Sequence, residues 1–380
     1  MDNVNQISFP VGYHKFHKDT TMNFEFNRWI SVGMARFEDF KEVAPRINNY
    51  EDWRSEMVKL AENAISENRL KNAAIYYRAA EFFIWQSNPK KMEYYDNFIK
   101  YFNLAFRDEK IIRHTVPYEG SFLPAFELKS EKNKGTIVIH GGLDSFIEEF
   151  YYLGAYFVNA GYNVIMFEGP GQGAALRKYN LTMHQEWERP TRAILDYFKL
   201  DDITLIGISL GGLLCLRAAA YEPRIKRVIS LGVAYDYLWN TGLIGRFFMR
   251  IFMNPKYKDF INRSAEKKAK KDLQHEWSIN QTMHISGKDN AYDALIEFMK
   301  YSVADVSHLV TQDVLLLHGK EDHFVPVKAY YKQKKVLTNA KSVTGRLFTK
   351  EEHAQNHCQI GNMGLALDAM LKWIDEKTCP

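Results

Sequence analysis

The residues with the most chemical content in this 380-residue chain are Gly207-Ile208-Ser209-Leu210-Gly211-Gly212. A G-x-S-x-G run gains meaning when a strand feeds it and a helix leaves it. Here the apolar run ITLIG ends at Gly207, and the helical pattern GLLCLRAAAYEP begins at Gly212. So sharp a turn needs small residues on both sides of the serine. It lifts the hydroxyl above the strand end and aims the next helix N-terminus at it. The free N–H groups and the dipole there favour an oxyanion. The competing reading is a serine that merely caps an ordinary helix. The context makes Ser209 the expected nucleophile.

A serine hydroxyl attacks only when a base takes its proton. With this turn, the partners follow in the order serine, acid, histidine. The acid is expected after a later strand, where VLLLHG (314–319) is followed by Lys320-Glu321-Asp322. Asp322 is the candidate, and Glu321 is the neighbour most easily confused with it. The base is expected after the final strand, in FTKEEHAQNHCQIGN (348–362). His353 and His357 both qualify, and spacing alone does not separate them. Their i, i+4 spacing also suits zinc on a helix, but H-A-Q-N-H lacks the glutamate of H-E-x-x-H and a third ligand. No metal and no cofactor are expected. The oxyanion donors are expected at Leu210 N–H and in the loop His140-Gly141-Gly142-Leu143, with Gly142 first and Gly141 second. The stretch Glu168-Gly169-Pro170-Gly171-Gln172-Gly173 lacks the Gly-Lys-Ser/Thr ending of a phosphate loop and reads as a tight turn after a strand.

These residues need a scaffold of alternating strands and helices. Short apolar runs lie at TIVIHGG (136–142), NVIMFEG (163–169), ITLIGIS (203–209), RVISLGV (227–233) and VLLLHG (314–319), with a weaker one at VTGRLFT (343–349). Helical stretches at Ile147–Ala160, Met183–Tyr197 and Gly211–Tyr221 separate them, and a last helix is expected over Met363–Lys377. Such alternation implies a mostly parallel sheet buried on both faces. IIRHTVPYEG and SFLPAFELKS predict a hairpin turning at Glu119-Gly120. Before it, apolar residues recur every three or four positions from Asn49 to about Asp108, with a break at Asn88-Pro89. The expected organisation is an N-terminal helical domain (1–110), a core (111–235 and 311–380) and a helical cap inserted at 236–310. Tyr235, Tyr237 and Trp239, just past RVISLGV, are candidates for the pocket wall.

Composition narrows the function classes. A net charge of +4 over 50 basic and 46 acidic residues gives no basic face for nucleic acid. The three cysteines, Cys215, Cys358 and Cys379, are too few and scattered for a disulfide framework. No apolar run reaches a bilayer-spanning length, and the start lacks a basic-then-apolar leader. A cytoplasmic enzyme acting on a small molecule, without membrane or nucleic-acid partners, is expected.

The ordered set HGGLDSFIEE (140–149), FEGPGQG (167–173), GISLGG (207–212), LLLHGKEDHFVP (315–326) and FTKEEHAQNHCQIGN (348–362) resembles a known family. It is similar to α/β-hydrolases with an N-terminal helical domain, grouped around 2,6-dihydroxypseudooxynicotine hydrolase. Fungal polyketide-shortening hydrolases of pigment synthesis and FrsA-like proteins belong to the same group. The resemblance runs from about residue 20 to the end. It implies that the base is the histidine directly before Cys-Gln, which is His357. It further implies hydrolysis centred on a carbonyl, of an ester or of a C–C bond next to a ketone, and a homodimer. Acyl transfer to another acceptor, and a binding or regulatory protein that keeps the fold without catalysis, are the alternatives.

Overall fold

The computed structural model describes residues 7–237, 243–271 and 273–378. The chain opens with five helices: α1 (Thr20–Ser31), α2 (Phe37–Val43), α3 (Tyr50–Ser66), α4 (Leu70–Phe82) and α5 (Lys90–Ala105). Side-chain caps fix two of their starts. Asp19 accepts from Met22 N–H at 2.9 Å to open α1, and Asn49 accepts from Asp52 N–H at 2.9 Å to open α3. Asn68, at φ 55°, turns the chain between α3 and α4. The sequence pattern did not predict α1 or α2. In α1 the reason is burial on almost every side, polar residues included, which removes the contrast between faces. Asn23 is one such residue: its Oδ1 accepts the N–H groups of Phe16 and His17 at 2.8 and 3.0 Å.

Among the described residues, eight strands form one sheet in the order β1-β2-β4-β3-β5-β6-β7-β8. They are β1 (Ile111–Tyr118), β2 (Ser121–Leu128), β3 (Thr136–His140), β4 (Asn163–Phe167), β5 (Ile203–Ile208), β6 (Ile225–Leu231), β7 (Asp313–Gly319) and β8 (Ser342–Phe348). The β1–β2 hairpin turns at Glu119 and Gly120, both at positive φ (47° and 76°), as a two-residue hairpin loop requires. β2 runs antiparallel to β4, and from β4 to β8 the pairing is parallel. Every residue of β5 and β7 is buried, as befits strands covered on both faces.

The connecting helices are α6 (Tyr151–Asn159), α7 (Gly173–Arg177), α8 (Glu188–Tyr197) and α9 (Gly211–Tyr221). Between β6 and β7 come α10 (Leu243–Phe252), α11 (Lys258–Ala269), α12 (Leu273–Ser286) and α13 (Ala291–Phe298). The chain closes with α14 (Val327–Val336) and α15 (Met363–Thr378). Alternate strand residues feed two cores. Ile139, Ile206, Ile229 and Leu315 join the α1–α5 layer, α6 and α15 on one face. Val138, Leu205, Val228 and Val314 join α8, α9 and α14 on the other.

The predicted helix Met183–Tyr197 is shorter than expected, starting only at Glu188. Met183 N–H instead donates to Ile285 O of α12 at 2.8 Å, tying this stretch to the inserted helices. Trp239 lies outside the described residues. Among the described residues no helix is long and apolar enough to cross a membrane.

A buried ionic cluster joins the first helices to the sheet. Arg78 of α4, fully buried, pairs with Glu81 and Glu149 and donates to Asp144 O at 2.8 Å. Arg177 of α7 binds Glu81 at 2.6 Å and Asp144 Oδ1 at 2.8 Å, and Lys91 of α5 reaches Glu81 at 3.0 Å. Arg28 of α1 bridges Glu149 and Glu25. Glu149 and Asp144 belong to the segment that follows β3, so α1, α4 and α7 grip that segment by charge, and α5 backs them through Glu81.

Candidate active site

Ser209 sits between β5 and α9 with φ 61°, a left-handed conformation that a serine adopts only under constraint. Its N–H donates to Leu231 O at 2.7 Å, and its carbonyl accepts from Gly212 N–H at 2.8 Å. The tightness of the turn explains Gly207: a Cβ there would lie 2.0 Å from Gly211 O. At the sheet's C-terminal edge the structure brings three distant side chains into line. His357 Nε2 stands 2.8 Å from Ser209 Oγ, and His357 Nδ1 stands 2.6 Å from Asp322 Oδ2. An ionised carboxylate only accepts, so Nδ1 carries the proton facing Asp322 and Nε2 is left to accept from the hydroxyl. Asp322 Oδ1 is held in turn by Phe324 and Val325 N–H groups, each at 2.8 Å.

The competing residues fall elsewhere. Glu321 is exposed, and its N–H bonds Gln355 O at 2.9 Å. His353 is exposed in the turn before His357, at φ 57°. His318 is spent as a clip, with its Nδ1 accepting from Val233 N–H at 3.2 Å and its Nε2 facing Val325 O at 3.0 Å.

Electrostatics divide the labour. Burial opposes the imidazolium of His357, yet the adjacent Asp322 charge and hydrogen bond hold its pKa well above 6.5. Burial pushes the Asp322 carboxyl up, but the facing imidazole and the two backbone donors hold it below its usual value.

The loop after β3, expected to carry an oxyanion donor, departs from expectation in one respect. Gly142 lies against the nucleophile turn, where a Cβ would come within 2.7 Å of Leu210 N. Its own N–H, however, donates to Ser145 Oγ at 2.9 Å and so closes the 142–145 turn. Leu210 and Leu143 N–H have no acceptor among the described residues, and both residues line the cavity above Ser209. The N–H groups of Leu210 and Leu143 are thus the unbonded ones beside the cavity, and the close approach of Gly142 to the turn leaves no room for a side chain.

Sequence reasoning read the 168–173 stretch only as a turn. In the structure Gln172 Nε2 donates to Gly141 O and Gly142 O at 2.8 and 2.9 Å, and its Oε1 accepts from Gly169 N–H at 2.9 Å. Gln172 thus pins the loop beside Ser209. Its replacement by leucine strands Gly142 O and Gly169 N–H, leaves Gly141 O to His140 Nδ1 alone, and is expected to lower unfolding free energy by roughly 1–3 kcal/mol. Urea denaturation measures this, and an unchanged midpoint contradicts it. Glu168 next to it accepts from Ala174 and Ile147 N–H groups, and burial, with the nearby Glu148, raises its carboxyl to about 8.

A cavity of about 270 Å³ opens over Ser209 and His357. Its walls include Phe24, Glu25 and Arg28 of α1, Phe82 at the end of α4, Tyr237, and Trp277 of α12. Trp277 stacks on Phe82 at 5.1 Å and donates Nε1–H to Phe82 O at 3.1 Å, joining the two walls. Tyr237 therefore reaches the cavity, whereas the Tyr235 ring lies beneath Lys332 Nζ at 4.0 Å. The α1 residues were missed. The sequence signal that marks them is the capping Asp19 before the run TTMNFEFNRWIS. Among the described residues no group of three or more His, Cys, Asp or Glu side chains is arranged to hold a metal ion.

A mostly parallel sheet with Ser209 at a strand-to-helix turn defines a class. The chain matches the alpha/beta hydrolase fold family over residues 137–355 and belongs to that family. It is 27% identical to Hydrolase LUC6 of Fusarium sp, over 96% of this chain and 98% of the relative. It is also 27% identical to the alpha/beta hydrolase psoB of Aspergillus fumigatus, over 96% and 94%. Among solved structures, 2,6-dihydroxy-pseudo-oxynicotine hydrolase superposes with a TM-score of 0.66 at 19% identity, covering 92% of this chain and 94% of that one. AbyA5 superposes at 0.69 and 15%, covering 94% and 95%. Family and relatives together make the protein a hydrolase.

Proposed function

We propose that the protein cleaves a carbonyl-centred bond, an ester or a C–C bond next to a ketone, in a small or medium organic substrate through Ser209, His357 and Asp322. The observation that carries this reading is the imidazole of His357 within hydrogen-bond reach of both Ser209 Oγ and Asp322. In this mechanism Nε2 takes the hydroxyl proton as Oγ attacks the carbonyl carbon. Asp322 fixes the tautomer and stabilises the imidazolium that forms. Leu210 and Leu143 N–H groups receive the developing oxyanion. The imidazolium then returns its proton to the leaving group, and water repeats the cycle on the acyl-enzyme. Residues 236–310 act as a cap, with Trp277 and Tyr237 closing the cavity against solvent.

A fluorophosphonate probe is expected to add covalently to Ser209, located by peptide mass, and to abolish turnover of p-nitrophenyl esters in step. Absence of the adduct in folded protein overturns the proposal. The pH profile is a second check. His357 must be neutral to act as base, so kcat/KM rises as pH climbs through its raised pKa. The acid limb is expected above pH 6.5. In Asp322→Asn the supporting charge is gone, so the limb moves to lower pH while kcat falls. A limb that stays in place rules out Asp322 as the charge beside the base.

A further inference from the structure

Apart from the His357 imidazole, the charged side chains that line the cavity over Ser209 both come from α1. Glu25 and Arg28 line it, while most of the remaining wall is apolar or aromatic. Both side chains are largely buried, with Glu25 3% exposed and Arg28 14%. Arg28 Nη1 donates to Glu25 Oε2 at 3.2 Å, a long contact for a charged pair, and Nη2 goes to Glu149. A guanidinium has five N–H donors, so donors remain beyond these two bonds. The guanidinium carbon lies over the Trp29 ring, 4.4 Å from its centroid, a cation–π contact that helps hold it in place.

The charges of the surrounding cluster balance only if Glu25 is ionised. Arg28, Arg78, Lys91 and Arg177 stand against Glu25, Glu81, Asp144 and Glu149. Glu25 is the acid of this set that faces the cavity. It is faced by Arg28 from its own helix, by Arg78 from α4 and by Glu149 from the loop after β3. Burial raises its carboxyl to about 7, against the pull of Arg28. At neutral pH it gives up its charge readily, and the cluster then holds one cation in excess beside the cavity.

We propose that Arg28 is the recognition group for a carboxylate at the end of the substrate remote from the scissile carbonyl, with Glu25 as the counter-ion it displaces. The substrate class is then an acyl compound with an apolar middle and an acidic far end. This rests on Ser209 being the nucleophile of the same cavity.

The test compares kcat/KM for mono-p-nitrophenyl esters of adipate, suberate and sebacate with the methyl-terminated esters of equal chain length. The wild-type protein is expected to turn over at least one ω-carboxy ester as well as or better than its neutral counterpart. Glu25→Gln, which removes the competing charge, is expected to raise that ratio roughly fivefold or more, and Arg28→Met to lower it by at least as much. Wild-type protein that prefers the neutral ester by tenfold or more at every length overturns the proposal, whether or not the variants fold. So does a ratio that neither variant moves. If Ser209 fails to take the fluorophosphonate probe, the reading beneath is lost instead, so the two failures are distinguishable.

Discussion

Ser209→Ala is expected to lower kcat for p-nitrophenyl esters by about 10⁴–10⁶-fold, and His357→Ala by a similar factor. The double variant is expected to lose no more than either single one. The physical reason is that hydroxyl and imidazole act as one unit across 2.8 Å. An unactivated alcohol does not attack, and a base without its alcohol has no proton to move. What survives is catalysis by Leu210 and Leu143 N–H and by binding. Steady-state kinetics on the three variants, with circular dichroism to establish folding, measure this. Additive losses, multiplying to far below either single variant, would show that the two residues act in separate steps. A Ser209→Ala protein within tenfold of the wild type would exclude the serine altogether. Phe24 and Phe324 pack on the imidazole at 6.1 and 5.1 Å, so removing the ring also opens a space that Ser209→Ala alone does not create.

Arg78→Met is expected to cost about 3–5 kcal/mol of stability, the other large effect. The guanidinium is fully buried and serves Glu81, Glu149 and the carbonyl of Asp144 at once. Methionine fills much the same volume but leaves Glu81 Oε2, Glu149 Oε1 and Asp144 O without their donor in a low-dielectric interior. Arg177 and Lys91 on Glu81, and Arg28 on Glu149, blunt the loss without replacing it, because each already holds the other oxygen of its carboxylate. Urea denaturation followed by tryptophan fluorescence measures the change. A loss below about 1 kcal/mol would mean that the remaining cations suffice. Because the cluster holds the loop carrying Leu143, activity at temperatures below unfolding is expected to fall as well.

The parts of the architecture that sequence pattern reveals are those with contrast. β5 and β7 are uninterrupted apolar runs bounded by glycine, and buried parallel strands must read that way. The hairpin announces itself through Glu119-Gly120, the helix α3 through its Asn49 cap. The positions of Ser209 and Asp322 follow from where those strands end. His357 did not follow from spacing, since His353 lies four residues away, and only the resemblance singled it out. In three dimensions the distinction is made by the backbone of 357–359, where Cys358 and Gln359 take φ 51° and 55° and turn the imidazole inward. No local pattern encodes that turn. Gln172 was passed over because its role is defined by carbonyls thirty positions upstream. α1 was passed over because a helix buried all round carries no periodicity. In each case the missing information is tertiary.

Two of the stretches that wall the cavity lie far apart in the chain, one at residues 24–28 and the other near 237 and 277–278. Exchanging the inserted helices between homologues would therefore move only part of the mould. A chimera that is to accept a new donor's substrate has to carry the opening helix along with it, together with the arginine and glutamate pairs that seat that helix on the sheet.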